Sequence, residues 1–337
     1  MGIESSWYRK GLLAYLLWPA SKLYCGLVVL RRGLFRQRNR IWPRLRVPVV
    51  VVVGGITVGG TGKTPLVVWL VNQLRANGLR AGVVSSGQGG SGRDWPQRVT
   101  PASDAGEVGD ESVLIATRTG APVYVAPRYN KAARALLAEH GVDVLIVDDG
   151  LLHYRLKRDI EIAMVDSRRR FGNGFCLPAG PLRAPVSRLA DCDFVIVNGM
   201  AKQGEFAMGL RGNVAVNIRD SQMANTLDAF RHQQVHAVAG IGHPERFFDM
   251  LRVNGIEVIP HPFPDHHGFT AEELDFGDEL PIFMTEKDAV KCRHLNLDNA
   301  WMVPVSASPD KTFAQQLMKR VREIAGANAK YRRDTHG

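Results

Sequence analysis

A run of five valines, Val49–Val53, followed by a glycine-rich loop and a helical pattern, constrains the fold more strongly than any other feature. A continuous β-branched run is typical of a strand buried on both faces of a parallel sheet. The helical pattern covers Pro65–Asn77 and ends before Gly78, a common helix terminator. The loop between them reads Thr57-Val58-Gly59-Gly60-Thr61-Gly62-Lys63-Thr64. A strand, a Gly-Lys-Thr loop and a helix in this order predict a phosphate-binding loop (P-loop), whose backbone amides cradle phosphates.

The chemistry of this loop predicts ATP and Mg²⁺ as cofactors. Lys63 is placed to reach the β- and γ-phosphates, and the hydroxyl of Thr64 is placed to ligate Mg²⁺. All eight residues from Thr57 to Thr64 are therefore expected to contact the nucleotide. The strict pattern has glycine at the first position, where this chain has Thr57.

Two acidic pairs are candidates for metal or proton chemistry. The apolar segment Val142–Val147 ends in Asp148 and Asp149, as in the strand that carries the Mg²⁺-facing carboxylate of P-loop enzymes. Gly109 is followed by Asp110 and Glu111, where a carboxylate can take a proton from an attacking hydroxyl. An acid in such a position is more often a helix cap, so the residues alone leave both roles open. The predicted metal ligands are Thr64, Asp148, Asp149 and Glu111.

Two further loops carry histidine or arginine. His266 and His267 lie in Pro264–His267, where the spacing favours a surface loop, because adjacent histidines rarely point at one ion. The glycine- and proline-rich segment 168–185 begins with three arginines and contains Arg183. Its positive charge either meets a phosphate or forms a solvated basic loop, and the sequence leaves both open.

The first 46 residues carry nearly all of the net charge. Ten Lys or Arg residues against Glu4 alone give this arm +9 of the chain's +10. It also contains a 20-residue apolar run, 11–30, about as long as a bilayer-spanning helix, with Pro19 and Lys22 near its middle. We interpret the arm as a helix on an anionic membrane surface. A spanning helix and a helix buried against the core remain alternatives.

Strand patterns that alternate with helical ones predict an α/β layered sheet. The strand candidates are Ala81–Ser85, Pro122–Ala126, Val142–Val147, Ile160–Val165, Cys192–Val197, Val235–Gly240, Ile256–Ile259, Pro281–Met284 and Trp301–Val305. We divide the chain into the arm (1–46), a P-loop core (47–220), a smaller C-terminal α/β lobe (221–327) and a frayed polar tail (328–337). The four cysteines are far apart and form no Cys-x-x-Cys pair, so neither a zinc ribbon nor a disulfide framework is expected.

Taken together, the motifs resemble the tetraacyldisaccharide 4′-kinase (lipid A 4′-kinase) family of Gram-negative bacteria. The matching segments occur in the order typical of that family, and the resemblance runs from about residue 10 to 325. The segments are Thr57–Pro65 (TVGGTGKTP), Val108–Glu111 (VGDE), Asp148–Asp166 (DDGLLHYRLKRDIEIAMVD), Phe171–Pro185 (FGNGFCLPAGPLRAP), Ala239–Phe247 (AGIGHPERF), Asp265–His267 (DHH) and Met284–Arg293 (MTEKDAVKCR).

The resemblance implies a P-loop core with a smaller lobe and an N-terminal membrane-associated helix. It implies ATP-dependent phosphorylation of the 4′-hydroxyl of a tetraacylated glucosamine disaccharide 1-phosphate at the cytoplasmic face of the inner membrane. The lipid substrate and the anionic membrane surface are then the expected partners. Neither nucleic acid nor an obligate protein partner is expected.

The resemblance also implies roles for individual residues. Asp110 becomes the catalytic base, paired with His266 rather than with the more variable His267. Lys63 and Asp149 complete the expected catalytic set. The substrate-binding candidates, which lie in matching segments, are Asn173, Arg183 and His153.

The chain departs from the family pattern at Ser86 and Gln88, where Arg and Tyr are usual, and at Leu152, where Gln is usual. Two alternatives therefore stay open. One is a membrane-surface P-loop ATPase, although Val58 stands where the signature of that class has lysine. The other is a catalytically impaired nucleotide-binding homologue, suggested by the changes at Ser86 and Gln88.

Overall fold

The computed structural model describes residues 3–38 and 49–336, which form two β-sheets with flanking helices. The strands are β1 (Val49–Gly55), β2 (Ala81–Ser85), β3 (Gln97–Val99), β4 (Val123–Val125), β5 (Val144–Val147), β6 (Ile160–Asp166), β7 (Phe194–Asn198), β8 (Phe206–Arg211), β9 (Val214–Asn217), β10 (Ala224–Thr226), β11 (Gln234–Ala239), β12 (Glu257–Pro262), β13 (Ile282–Thr285), β14 (Ala300–Val303) and β15 (Ser306–Pro309). The helices are α1 (Leu12–Leu16), α2 (Trp18–Arg38), α3 (Lys63–Ala76), α4 (Ala105–Val108), α5 (Asp110–Thr119), α6 (Tyr129–Glu139), α7 (Pro244–Val253), α8 (Glu286–Cys292) and α9 (Lys311–His336).

The first sheet has the strand order β15-β8-β7-β6-β1-β5-β2-β4-β3, and the valine run lies at its centre as β1. β1 pairs in parallel with both β5 and β6, and every residue of the strand is buried. Val49, Val51 and Val53 pack in the cluster that includes α3, α5 and α9, whereas Val50 and Val52 pack with α6 on the other face. Because the carboxyl ends of β1 and β5 meet at one edge, the P-loop and the Asp148–Asp149 pair come together there.

The second sheet has the order β10-β9-β14-β13-β11-β12 and forms the core of the smaller lobe. β11, β12, β13 and β14 are parallel, and β9 and β10 complete the sheet in antiparallel fashion. β9, which precedes residue 220, pairs with β14 of the second sheet. At the C-terminal end, β15 pairs with β8 of the first sheet, and α9 packs against that sheet. The chain thus crosses between the lobes twice. The division at residues 220 and 327 remains a prediction.

Each strand candidate from Ala81 onward is present; Ala81–Ser85 matches β2 at both ends, and the ends of the others differ by at most three residues. The sequence patterns missed β3, β8, β9, β10 and β15, which are short or carry exposed residues that weaken the pattern. The expected frayed tail from Asn328 is helical instead, since α9 continues to His336. Ala-, Lys- and Arg-rich sequence has good helix propensity, and cations near a helix C-terminus are favourable.

The N-terminal arm consists of a 3₁₀ helix, Ile3–Tyr8, followed by α1 and α2. Pro19 lies in the first turn of α2, where a missing amide hydrogen costs nothing, so the apolar run forms two helices instead of one. α2 packs on the core through Ser21 and Tyr24, which donate hydrogen bonds to the carbonyl oxygens of Cys176 (2.7 Å) and Arg183 (3.2 Å). None of the described helices is both long and apolar enough for a membrane crossing. The stretch 39–46 of the predicted arm lies outside the described residues.

Candidate active site

A cleft of about 870 Å³ lies between the two sheets, and all eight P-loop residues line it. Gly62 precedes α3 with φ +89°, and a Cβ there would lie 2.8 Å from Nδ2 of Asn198, so only glycine fits. Lys63 and Thr64 form the first turn of α3. The helix N-terminus and its free amides therefore face the cleft, as phosphate binding requires.

Asp149 lies at the centre of a charge cluster on the P-loop side of the cleft. Lys63 Nζ is 3.7 Å from Asp149 Oδ1, and Arg183 donates two hydrogen bonds to the same carboxylate at 2.8 and 2.9 Å. Burial would raise the pKa of Asp149, but Lys63 and Arg183 outweigh it and leave the pKa lowered. Asp149 is therefore a paired anion that holds two cations at the P-loop.

Asp148 has the opposite environment although it is the next residue. Its side chain is buried, and neither carboxylate oxygen has a hydrogen-bond partner among the described residues. Burial, with the charges of Glu111 and Asp149, raises its pKa to about 8. An orphaned buried carboxylate directly after β5, the strand that pairs with β1, fits a bound cation. No cluster of three or more His, Cys, Asp or Glu ligands is found in residues 3–38 and 49–336. Mg²⁺ held by phosphates and water does not need one.

Asp110 and His266 form a pair on the opposite side of the cleft. Nδ1 of His266 lies 3.2 and 3.1 Å from the two carboxylate oxygens of Asp110, although the residues are 156 positions apart. Asp110 begins α5 and is buried, whereas His266 lines the cleft from a turn after β12. A Cβ on Gly89 would lie 2.8 Å from His266 Nδ1, so the loop after β2 leaves room for the ring.

The Asp110–His266 pair is charge-stabilised. The hydrogen bond to Asp110 raises the pKa of His266. Burial would raise the pKa of Asp110, but the bond to His266 and the charge of Lys287 leave it lowered. His267 is not part of the pair, because its Nε2 lies 3.1 Å from Glu273.

Lys287, at the start of α8, is a cleft residue that sequence reasoning did not single out. Its Nζ lies 2.9 Å from Asp265, 3.3 Å from Glu111 and 3.8 Å from Asp110. Burial lowers the pKa of Lys287, but these three carboxylates outweigh it and leave the pKa raised. Lys287 lies within the MTEKDAVKCR segment, yet its spacing in sequence does not indicate its partners. Lys287 joins the smaller lobe to the first residues of α5.

The three substrate-binding candidates have different positions. Arg183 lines the cleft. Asn173 is buried outside the cleft lining; its amide donates to the carbonyl of Ala179 (2.8 Å) and accepts from the amide of Phe175 (3.0 Å). His153 is an exposed residue outside the lining, with its ring edge-on to Tyr129 at 4.7 Å. Gln88, one of the departures from the family pattern, lines the cleft.

The smaller lobe closes over the P-loop through the loop that follows β11. A Cβ on Gly242 would lie 2.6 Å from the backbone nitrogen of Gly60, so the two loops are in direct contact. Trp7 and Tyr8 of the arm also line the cleft. The cleft is therefore built from the P-loop core, the smaller lobe and the arm together.

Comparison with known proteins identifies the family. The model of the family described as tetraacyldisaccharide-1-P 4′-kinase matches residues 13–322. The tetraacyldisaccharide 4′-kinase of Nitrosococcus oceani is 48% identical over 319 residues, which cover 95% of this chain and 94% of that one. The chain belongs to the tetraacyldisaccharide 4′-kinase family. The enzyme of that name from Alkalilimnicola ehrlichii is 50% identical over 309 residues, covering 90% of this chain and 91% of its own.

A solved structure agrees with the fold. A crystal structure of the Aquifex aeolicus family member in complex with ATP has a TM-score of 0.76 and 24% sequence identity. The match covers 93% of this chain and 99% of that one. The resemblance inferred from the motifs, the kinase class and the P-loop α/β fold are confirmed.

Proposed function

We propose that this tetraacyldisaccharide 4′-kinase family member transfers the γ-phosphate of ATP to the 4′-hydroxyl of a tetraacyldisaccharide 1-phosphate. One observation carries the proposal: the P-loop with Lys63 and the cleft-facing His266 line the same cleft from opposite lobes. Phosphoryl transfer needs the donor phosphate and the attacking hydroxyl in line between such groups. A cleft of about 870 Å³ lies within the range of small-molecule sites.

The apolar part of the cleft suits the adenine of ATP. It lies beside the P-loop, where a nucleotide base needs flat apolar surface. Its apolar lining comes from α3, α5, β8, the loops around β11 and β14, and α7: Val68, Leu114, Met208, Leu210, Ile241, Phe247, Met250, Val303 and Val305.

Asp148 and Thr64 are the residues that we assign to Mg²⁺. Asp148 supplies a carboxylate without a hydrogen-bond partner in the described part of the chain, and burial together with the charges of Glu111 and Asp149 raises its pKa. A bound Mg²⁺ would neutralise charge on the phosphate oxygens. Asp149 is paired with Lys63 and Arg183. The negative charge of Glu111 acts on Asp148 and contributes to its raised pKa.

His266 is the group that we assign to take the proton from the 4′-hydroxyl. An ionised Asp110 accepts the Nδ1 hydrogen of His266, which leaves the lone pair of Nε2 available as a base. Asp110 lies behind the ring and is too deeply buried to meet the acceptor itself. In the assignment that we favour, Asp110 acts through His266 as its orienting partner.

The arm is proposed to hold the enzyme on the cytoplasmic face of the inner membrane. Leu23, Leu27, Leu30 and Leu34 of α2 point away from the core, and each is more than half exposed. Such an apolar stripe beside basic residues is typical of a helix that inserts shallowly into an anionic surface. Membrane binding by the arm would bring the cleft to a lipid acceptor.

Replacing Leu23, Leu27 and Leu30 by Gln tests the membrane assignment. The triple variant should float poorly with anionic vesicles and lose activity on bilayer-embedded acceptor, but keep activity on acceptor in detergent. Met200→Gln and Val253→Gln serve as controls, since both residues are exposed and apolar but lie outside the arm. Unchanged flotation of the triple variant would contradict this role of the arm.

The proposed activity is tested by incubating the purified protein with ATP, Mg²⁺ and the disaccharide acceptor in detergent. Mass spectrometry should detect one added phosphate, and none when the 4′-hydroxyl of the acceptor is methylated. Absence of product from the free hydroxyl, or equal product from the methylated acceptor, would refute the proposal.

A further inference from the structure

Three consecutive arginines follow β6, and the structure separates their roles. Arg168 Nη1 lies 2.9 Å from Asp249, and Arg170 Nη2 lies 2.5 Å from Glu205. Within the described ranges, no carboxylate lies within ion-pair distance of the Arg169 guanidinium, so no acidic side chain there offsets its positive charge. The basic loop therefore contains one arginine that is available for an anion.

Arg169 lies against the phosphate cradle. It lines the cleft, and a Cβ on Gly59 would lie 3.3 Å from its Nη1. Gly59 is the third residue of the P-loop and has φ +97°. The backbone amide of Arg169 donates to Asp166 Oδ1 at 2.9 Å, which anchors the residue at the end of β6.

The arm orients this arginine. The Cζ atom of Arg169 lies 5.3 Å from the centre of the Tyr8 ring, an arrangement in which guanidinium and aromatic face attract each other. The 3₁₀ helix that carries Tyr8 is itself fixed, because Trp7 Nε1 donates to the carbonyl of Pro178 at 3.0 Å and the carbonyl of Trp7 accepts from the amide of Asn173 at 2.8 Å. Tyr8 thus directs Arg169 towards the P-loop instead of towards solvent.

We propose that Arg169 is a further catalytic residue, which contacts the γ-phosphoryl group of ATP during transfer, with Tyr8 as its positioning residue. This inference rests on the proposed function. The 4′-oxygen forms a bond to the γ-phosphorus, the bond from that phosphorus to the β,γ-bridging oxygen breaks, ADP leaves and His266 takes the hydroxyl proton. The planar guanidinium donates hydrogen bonds to phosphoryl oxygens, and its charge stabilises the negative charge that spreads over them.

Steady-state kinetics of Arg169→Gln and Arg169→Lys test the proposal, with Arg168→Gln as the matched control. Arg168 is the adjacent arginine, but it is exposed and paired with Asp249. We expect Arg169→Gln to lower kcat by about a hundredfold or more, while the KM for ATP changes less than about threefold, because an arginine on the transferred phosphoryl acts mainly in the transition state. Arg169→Lys should recover part of the loss, and Arg168→Gln should resemble wild type.

Binding of ADP with aluminium fluoride, a mimic of the transferring phosphoryl group, gives a second readout. Wild type and Arg168→Gln should form the complex. Arg169→Gln should bind ADP normally yet fail to bind it more tightly when fluoride and aluminium are added.

An acceptor that lacks the 1-phosphate distinguishes the other possible anion. A higher KM for the 1-phosphorylated acceptor in Arg169→Gln, with unchanged kcat and no effect on the 1-dephosphorylated acceptor, would assign Arg169 to the acceptor and overturn the proposal. Equal losses in Arg168→Gln and Arg169→Gln would overturn it too, as would normal aluminium fluoride binding by Arg169→Gln. Lack of product from wild type refutes the proposed function instead, and the aluminium fluoride experiment then still tests Arg169.

Discussion

The two charge clusters of the cleft contain similar groups but are assembled differently. In the first, Lys63 and Arg183 hold Asp149 at one edge of the nine-stranded sheet. In the second, His266 and Lys287 of the smaller lobe hold Asp110 of the P-loop core. Asp110 is buried and the side chain of Asp149 is 11% exposed, and both carboxylates have lowered pKa values because neighbouring cations outweigh burial. The first cluster is complete within one lobe, whereas the second combines residues of both lobes.

Removing Lys63 from the first cluster should have the largest effect. Lys63→Ala should abolish transfer, since Lys63 neutralises charge on the β- and γ-phosphates, a contribution of several kcal/mol. Product formation at saturating ATP measures it, and a circular dichroism melt checks the fold. Lys319→Ala, an exposed change on α9, is the control. Activity above about a tenth of wild type would count against the assignment.

Breaking the second cluster at its centre should come next. Asp110→Asn should lower kcat by roughly a hundredfold or more with little change in ATP affinity, as expected for lost general-base catalysis. His266→Ala should do the same. The double variant should be no worse than the poorer single variant, because the two residues act as a unit. Losses that multiply would show that they act independently.

Removing Lys287, which joins the smaller lobe to the first residues of α5, should have a smaller effect. Lys287→Met leaves Glu111 and Asp265 without their shared cation, and we expect kcat to fall by about tenfold, an effect between those of an exposed and a fully buried ion pair. Lys287→Arg keeps the charge and should restore most of the rate. If the arginine variant is as slow as the methionine variant, charge across the lobes is not what matters at this position.

The raised pKa of Asp148 predicts an effect on stability. Its pKa of about 8 in the folded state lies above the value of about 3.9 in an unfolded chain. The folded state then binds more protons between these values, so this group makes stability fall as pH rises from about 4 to 8. Asp148→Asn should therefore raise the Tm relative to wild type without nucleotide, more at pH 8 than at pH 5.

Excess ATP and Mg²⁺ should reduce the advantage of Asp148→Asn, because a bound cation pairs with the wild-type carboxylate. Differential scanning fluorimetry at the two pH values measures both effects. A difference in Tm that is the same at pH 5 and pH 8 would contradict the raised pKa.

The two clusters also differ in how far the sequence predicts them. The strand, the P-loop, α3 and the Asp148–Asp149 pair follow from local patterns, because their residues are contiguous or lie at the ends of adjacent parallel strands. Asp110 and His266 were paired only through the family resemblance, since no spacing rule joins residues 156 positions apart. The short strands β3 and β10 were missed because three residues do not establish a period.

The sequence by itself determined the P-loop, the α/β fold class and, through its motifs, the kinase family. Tertiary structure alone decided which charges are neutralised. Asp148 and Asp149 are neighbours, yet Asp148 has no partner in the described ranges and Asp149 is held by two cations. Arg168, Arg169 and Arg170 are likewise adjacent, and among the residues that the structure describes, carboxylates from distant segments pair with only Arg168 and Arg170. Ion pairing depends on the distance between charged groups in space and on their burial, and neither quantity follows from the order of residues along the chain.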